Sequence, residues 1–299
     1  MKDFEGRVAF ITGGGSGVGL GQARVFGQAG CKVVIADIRE DHLEAGMTAL
    51  REQGTEAHAV KLDITDREAY ARAADEAEKV FGPVTLLFNT AGVSIFGPLE
   101  KSTYDDYDWQ MGVNFGGVVN GIVTFVPRMI DHGQGGYVVN TASLGGLRAS
   151  APAGIYCASK FAVVGLSEAL KDSLEKYNIG VSCLCPANVN SNIAESVKTR
   201  PEHLSHSGYK FDEDVMQSLK TIYSAGKDPV ELAGEVKAAM EKEQFYIIPY
   251  PEARGMLRNH FDEILASLPP EDADPEGVAR RQAAMERYRR ERAEQKLDE

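Results

Sequence analysis

The chain has 299 residues, of which 43% are hydrophobic and 25% charged, and its formal net charge is −12. This apolar content supports a substantial core, and one α/β domain of this size need not be divided. The negative charge argues against nucleic acid or an anionic membrane as a partner, because their phosphate groups would be repelled. A small-molecule partner is expected instead.

The N-terminus has no basic segment followed by a long apolar stretch, and no window approaches the roughly 20 apolar residues of a membrane helix. These features predict a cytoplasmic protein. The four cysteines fit neither a metal site nor a disulfide framework, and two of them should share one face of a strand. We expect reduced packing residues and no metal; the cysteines are Cys31, Cys157, Cys183 and Cys185.

Short apolar runs bounded by turn or helix signals predict buried parallel strands in the first two thirds of the chain. Helical patterns lie between them, and such alternation indicates a doubly wound α/β sheet. The predicted strands are residues 8–11, 33–36, 57–62, 86–88, 137–139 and 181–184, and the predicted helices are residues 18–29, 41–53, 66–81, 107–130 and 155–177.

A further helix start is encoded by Asp228, Pro229 and Glu231, which supply a cap, a preorganised first turn and a favourable charge. The helix should end near Lys242. Residues 245–248 then predict a last strand, which gives a sheet of about seven strands flanked by helices.

We predict one domain over residues 1–250, with residues 190–226 as a long substrate loop or lid. His203 and His206 in that loop are expected at the surface. Residues 251–299 form a predicted helical extension that is solvated and fraying or disordered at its end. The alternative for this extension is an arm that packs on a neighbouring subunit.

A glycine-rich turn, TGGGSGVG at residues 12–19, links the first strand to the first helix. Glycines allow a sharp turn and close approach of a pyrophosphate, and the new helix offers unpaired amides to the anion. The predicted contacts are Gly13, Ser16, Gly17, Val18 and Gly19.

Asp37 ends the second strand, where a carboxylate can accept hydrogen bonds from ribose hydroxyls and repel a 2′-phosphate. NAD is therefore expected in preference to NADP. The alternative rests on Arg39, whose guanidinium could bind that phosphate if it turned inward. S-adenosylmethionine enzymes can share these features, so the second half of the chain must decide the class.

Tyr156 and Lys160 are four residues apart in a helical pattern and therefore share one face. A neighbouring ammonium favours the phenolate of a tyrosine, whose ordinary pKa is about 10. Ser143 follows the fifth strand and could bind a substrate oxygen. Asn114 lies within the preceding long helix, where a buried amide can organise a water.

Together with NTAG at residues 89–92, these residues resemble the short-chain dehydrogenase/reductase superfamily over roughly residues 5–250. The resemblance implies a Rossmann-type domain and nicotinamide-dependent hydride transfer. Tyr156 would be the general acid/base, Lys160 would lower its pKa and hold the nicotinamide ribose, Ser143 would orient the carbonyl, and Asn114 would support a relay water. A methyltransferase or a catalytically idle nicotinamide-binding protein would not need these four residues together.

The same resemblance implies further cofactor contacts. Asp63 and Ile64 would flank the adenine, Val189 would present backbone to the carboxamide, and Ser191 would reach the nicotinamide. The groove would be lined by Asn89, Ala91 and Gly92. Thr90 and Ala187 replace the family's usual Asn and Gly, and related proteins imply a homodimer or homotetramer.

The sequence is more specifically similar to the bacterial Cα-dehydrogenases of lignin β-aryl ether breakdown. This implies NAD-dependent oxidation of the benzylic alcohol of guaiacylglycerol-type ethers. The alternative is another bulky aryl or alicyclic alcohol, since pocket residues such as Val93, Phe96, Leu144 and Leu147 could accommodate either. The similar segments are MKDFEGRVAFITGG, TYDDYDW, VNFGGVVNGIVTFVPRMI, PANVNSNIAES and FYIIPYPEAR.

Overall fold

The structure is a computed structural model that describes residues 1–209 and 213–295. It divides into two compact units, Met1–Pro251 and Glu252–Glu299. The first unit contains the sheet, and the second contains two helices.

Seven parallel strands form one sheet in the order β3-β2-β1-β4-β5-β6-β7. The predicted α/β doubly wound, Rossmann-type sheet is therefore confirmed. The order reverses between β1 and β4, and ligands of such sheets bind outside the carboxyl ends of the strands at this point. The strands are β1 (Val8–Thr12), β2 (Lys32–Asp37), β3 (Ala57–Lys61), β4 (Val84–Asn89), β5 (Gly136–Thr141), β6 (Ile179–Leu184) and β7 (Tyr246–Ile247).

Helices cover both faces of the sheet, and each face has its own apolar core. Phe26 and Phe88 belong to one core, whereas Phe10, Tyr70 and Phe125 belong to the other. The helices of the first unit are α1 (Gly17–Gln28), α2 (Glu40–Glu52), α3 (Arg67–Phe81), α4 (Tyr104–Met111), α5 (Gly117–Asp131), α6 (Gly154–Leu174), α7 (Glu213–Ser224) and α8 (Pro229–Glu241); those of the second are α9 (Ala253–Ala266) and α10 (Pro275–Gln295).

The start of α8 is confirmed, since Asp228 accepts hydrogen bonds from the amides of Val230 at 2.8 Å and Glu231 at 3.1 Å. The single helix predicted over residues 107–130 is wrong in its start and its regularity. It begins at Tyr104 because Thr103 and Asp106 form a capping box. A π-helical turn, Gly112–Gly116, then separates α4 from α5.

The long loop predicted over residues 190–226 is also corrected. It contains 3₁₀ turns at Asn192–Thr199 and Glu202–Leu204 and the helix α7, while residues 210–212 lie outside the described residues. The expected fraying or disorder at the chain end concerns residues 296–299, which lie outside them as well.

Two helical stretches, Tyr104–Asp131 and Ala151–Tyr177, are long and apolar enough by composition to cross a membrane. The expectation that no such window exists is therefore wrong. Both stretches are core helices of the sheet domain, because side chains such as Phe125 and Val163 are fully buried. All four cysteines lie within the described residues and are buried free thiols, and the Cys183 and Cys185 sulfurs are 3.8 Å apart.

Candidate active site

The glycine turn between β1 and α1 has a backbone that other residues would strain. Gly13 and Gly17 adopt positive φ angles of 65° and 49°. A Cβ at Gly13 would lie 2.9 Å from Ala91 Cα, and one at Gly19 would lie 2.2 Å from the carbonyl oxygen of Gly13. Ser16 is the N-cap residue of α1, and Val18 follows in its first turn. The turn therefore presents helix-terminal amides to the groove, as a pyrophosphate requires.

Asp37 stands beside this turn at the end of β2. Its Oδ2 accepts a 3.3 Å hydrogen bond from the Gly15 amide, and its Oδ1 accepts a 3.0 Å bond from the Arg39 amide. These bonds fix the carboxylate and leave lone pairs that can accept ribose hydroxyls. The Arg39 side chain is paired with Asp41, and its hydrogen bond lowers the pKa of that carboxyl to about 2.

The predicted adenine residues follow β3. Asp63 is exposed, and its Oδ1 accepts hydrogen bonds from the amide and hydroxyl of Thr65 at 2.9 and 2.7 Å. Ile64 is buried, and its carbonyl oxygen accepts a 2.8 Å bond from Asn120. The exposed carboxylate and the buried apolar neighbour thus lie next to each other at the carboxyl end of β3.

Ala91 and Gly92 lie between the glycine turn and Lys160, the predicted catalytic lysine. Ala91 contacts Gly13, whereas a Cβ on Gly92 would lie 3.4 Å from Lys160 Nζ. Asn89 differs from these two residues, because its side chain is buried and donates a 2.8 Å hydrogen bond to Asn140. Its amide therefore braces the ends of β4 and β5.

The chain after β6 returns to the same groove. The backbone amide of Lys227 donates to the Asn188 carbonyl oxygen, and the Lys227 carbonyl oxygen accepts from the Asn190 amide, each at 3.0 Å. In this parallel pairing Val189 lies opposite Lys227 without bonding to it, so the N–H and C=O of Val189 point away from Lys227. A Cβ on Gly17 would lie 2.8 Å from Ser191 Cβ. Ser191 thus lies against the glycine turn, and Val189 precedes it by two residues.

Ser143, Tyr156 and Lys160 converge at the carboxyl ends of the strands. Ser143 Oγ accepts a 3.0 Å bond from the Gly145 amide and donates a 3.4 Å bond to the Pro186 carbonyl oxygen, and it lies close enough to the Tyr156 phenol to lower the pKa of that phenol. Lys160 Nζ lies 5.7 Å from the centre of the Tyr156 ring and donates a 2.9 Å bond to the carbonyl oxygen of Thr141. The structure therefore assembles the three groups that the sequence pattern selected.

Burial dominates the ionisation of these groups. Burial raises the pKa of Tyr156 above its ordinary value. The Ser143 hydroxyl lowers this pKa, whereas the nearby Tyr223 raises it further. Burial also lowers the pKa of Lys160 to about 8. Burial therefore outweighs the groups that lower the pKa of Tyr156. Tyr223 lies on α7 and was missed by sequence reasoning, because that helix was not predicted.

Asn114 lies in the π-helical turn and is fully buried. Its Nδ2 donates to the Val93 carbonyl at 2.9 Å and to Ser159 Oγ at 3.0 Å, and its Oδ1 accepts a 2.8 Å bond from the Val93 amide. Both amide hydrogens are thus used to hold the segment around Val93 against α6. One lone pair of Oδ1 is left as an acceptor for a water.

The substrate side contains a buried ion pair that the sequence pattern did not reveal. Arg200 Nη1 lies 2.7 Å from Asp106 Oδ1, and the two side chains are 5% and 0% exposed. The guanidinium also lies over the Trp109 ring, 5.2 Å from its centre. Ser207 donates a 2.7 Å bond to Asp106, so residues 200–209 are docked on α4. A capping signal identifies Asp106, but no local signal marks Arg200.

Beneath this pair lies an apolar cluster that includes Val93, Ile155 and Tyr209. Of the predicted pocket residues, Leu147 is buried as well, whereas Phe96 and Leu144 are partly exposed. His203 and His206 are exposed, as expected. Across residues 1–209 and 213–295 the structure contains no group of three His, Cys, Asp or Glu side chains that could hold a metal.

A dinucleotide-binding sheet edge next to a Ser, Tyr and Lys group defines a nicotinamide-dependent oxidoreductase. The sequence profile of the short chain dehydrogenases matches residues 7–202. The chain belongs to this family of soluble enzymes, and it is a dehydrogenase acting on CH–OH groups.

Individual relatives agree with this assignment. A C alpha-dehydrogenase of Sphingobium sp. strain SYK-6 is 53% identical over 293 residues, which cover 98% of this chain and 96% of that protein. The crystal structure of LigD-apo from the same strain has a TM-score of 0.76 and 49% identity, covering 90% of this chain and 100% of that one. A family member from Burkholderia phymatum in complex with NAD has a TM-score of 0.85 and 36% identity, covering 91% and 99%.

Proposed function

We propose that this protein is an NAD-dependent Cα-dehydrogenase that oxidises the benzylic hydroxyl of lignin-derived, guaiacylglycerol-type β-aryl ethers to the ketone. The observation that carries this substrate assignment is the 53% identity to a C alpha-dehydrogenase over nearly the whole of both chains. The aligned region spans the loop after β6 and the C-terminal unit, where family members with different substrates would be expected to diverge.

The residues would act as follows. Ser143 and Tyr156 hydrogen-bond the substrate oxygen and set the benzylic carbon against the cofactor groove. When bound, NAD supplies the hydride acceptor at C4 of its nicotinamide. Tyr156 takes the hydroxyl proton, and the Lys160 ammonium stabilises the phenolate that Tyr156 needs for this step. Asn114 keeps the segment around Val93 in place beside them.

The preference for NAD over NADP is supported by Asp37. Two backbone amides hold its carboxylate at the end of β2. A carboxylate in this position can accept hydrogen bonds from both adenosine ribose hydroxyls, whereas it would repel a 2′-phosphate. Arg39, the residue that could favour NADP, is paired with Asp41.

We further infer that residues 1–250 carry the activity, that residues 190–226 cover the substrate, and that residues 251–299 are an extension. Localisation in the cytoplasm and assembly as a homodimer or homotetramer belong to the same proposal. Light scattering at micromolar concentration tests the assembly, and a monomer would contradict it.

The substrate proposal is tested by following nicotinamide reduction with NAD or NADP and a panel of alcohols. The panel contains aryl-glycerol β-aryl ethers, simple benzylic alcohols, hydroxysteroids and sugars. We expect NAD reduction with the aryl-glycerol ethers at a far higher kcat/KM than with the others. If only another bulky aryl or alicyclic alcohol reacts, the dehydrogenase assignment stands and the lignin-ether assignment is wrong.

A further inference from the structure

A glutamate from the loop after β6 reaches the ribose end of the cofactor groove. Glu195 lies in the turn Asn192–Thr199, and its Oε2 is 3.8 Å from Arg39 Nη1. The same side chain is 2.7 Å from Lys198 Nζ and 2.9 Å from Lys220 Nζ. Hydrogen bonds from these two lysines lower the pKa of Glu195 to about 2, so the carboxylate is ionised at neutral pH.

Arg39 is the cation best placed to recognise a 2′-phosphate. Its backbone amide bonds to Asp37, the proposed ribose ligand, at 3.0 Å. A guanidinium binds phosphate with two parallel hydrogen bonds when its donors are available. Here Asp41 takes two of its nitrogens and Glu195 approaches a third. The guanidinium is thus held between two carboxylates from different parts of the chain.

We propose that Glu195 is a specificity residue for the cofactor, which acts through Arg39. It keeps the guanidinium paired, and it adds a negative charge where a 2′-phosphate would approach. Glu195 is a positioning residue, since it would not touch NAD itself. The inference rests on the proposed nicotinamide-dependent function and extends it, because it assigns part of the NAD preference to the loop after β6.

Removing the negative charge of Glu195 changes the net charge around Arg39 and leaves Asp37 in place. With glutamine at position 195, Arg39, Lys198 and Lys220 lose one shared carboxylate, and the surroundings gain one net positive charge. NADPH should benefit because its 2′-phosphate meets released cations, whereas NADH has no group at that place. A partly exposed pair of this kind contributes up to about 1 kcal/mol, which corresponds to about a 3- to 5-fold change in affinity.

The experiment measures the binding of NADH and NADPH by fluorescence titration, without substrate, for wild type and Glu195→Gln. The Kd for NADPH should fall about 3- to 5-fold, and the Kd for NADH should change less than about 2-fold. The gain should shrink at high salt, because exposed charges are screened. Glu241→Gln is the matched control: Glu241 lies 2.5 Å from Lys237 on α8, and it should leave both affinities unchanged.

Two more variants separate this role from a general effect on the loop. Adding Arg39→Ala to Glu195→Gln should erase most of the NADPH gain, because the effect runs through the guanidinium. Asp41→Asn loosens the same guanidinium from its other side and should also favour NADPH. An unchanged ratio of the two Kd values in both single variants would overturn the proposal, and so would equal weakening of both cofactors. Failure of the aryl-ether assay leaves this measurement intact, because no substrate is present.

Discussion

The cofactor edge and the substrate side of the site are built by different means. At the cofactor edge, backbone does the positioning: Gly13 and Gly17 adopt left-handed conformations, and two amides hold Asp37. On the substrate side, side chains join distant segments, as in the pair of Asp106 and Arg200, which are 94 residues apart. The comparison teaches that one region is set by local sequence, whereas the other depends on the completed fold.

This difference also suits the two ligands. The dinucleotide is shared by many family members, and backbone contacts to it tolerate changes in side chains elsewhere. Substrates differ among relatives, and a loop held by side chains can be remodelled without disturbing the glycine turn. Tyr156 and Lys160 lie between the two regions, on a helix that contacts both.

The largest effect is expected at the proton-transferring residue. Tyr156→Phe removes the phenolic oxygen and should lower kcat by about 10²- to 10⁴-fold, while the Kd for NADH stays near the wild-type value. Steady-state kinetics and fluorescence titration measure the two quantities. Tyr177→Phe removes a partly exposed phenol just beyond α6 and should keep wild-type turnover. Near-normal activity of the Tyr156 variant would refute its assigned role.

The second-largest effect is expected at the buried ion pair of Asp106 and Arg200. Asp106→Asn leaves Arg200 buried without its counter-charge and should lower the free energy of unfolding by about 3–5 kcal/mol. The KM for substrate should rise more than the Kd for NADH, because residues 200–209 lose their anchor. Denaturant unfolding and kinetics test both expectations. Asp108→Asn, an exposed change in the same helix, should have little effect on either.

The pair of Asp106 and Arg200 also predicts that the stability of the protein falls at low pH. Burial alone would raise the pKa of Asp106, but hydrogen bonds from Arg200, Thr103, Ser207 and Gly208 outweigh it and lower that pKa to about 2. The unfolded value is about 3.9. Its contribution to stability is therefore complete above about pH 4 and is lost as the pH falls toward 2. Asp106→Asn should lack this part of the acid-induced loss, which a pH series of unfolding curves would reveal.

Lys160 should show a trade between stability and function. Burial lowers its pKa to about 8, below an unfolded value of about 10.4, so the folded state disfavours its charged form. Lys160→Met should raise the free energy of unfolding at pH 7 by about 1–3 kcal/mol and remove activity. The advantage should shrink as the pH rises from 8 toward 10, where the unfolded state binds more protons. Lys171→Met, an exposed change on α6, should not stabilise; equal effects of both variants would contradict this reasoning.

The smallest effect is expected at Gly234, and Gly19 provides the contrast. Gly234 lies within α8, and an added Cβ would meet nothing within 4 Å. Gly234→Ala should therefore stabilise by about 0.5–1 kcal/mol. Gly19→Ala should instead weaken NADH binding or folding, because its Cβ would lie 2.2 Å from the Gly13 carbonyl oxygen. Thermal unfolding with and without NADH measures both, and a neutral Gly19 variant would contradict the described turn.

Local patterns predicted most of the sheet and its order of elements. The glycine turn, the Asp228 cap and the one-face spacing of Tyr156 and Lys160 are set by neighbours in sequence, which a single sequence displays. Helix α7 was missed because scattered apolar residues suggested a loop. The Asp106 and Arg200 pair was missed because tertiary contacts, rather than spacing, bring the two together. The role of each site residue stays a prediction.

The central claim is that the hydrogen on the benzylic Cα of an aryl-glycerol β-aryl ether leaves as hydride to NAD. The most direct measurement uses substrate deuterated at Cα and mass spectrometry of the reduced cofactor. The account predicts deuterium in the NADH and slower turnover whenever hydride transfer limits the rate. Reduced cofactor without the label would show that the hydride comes from another carbon and would contradict the proposed reaction.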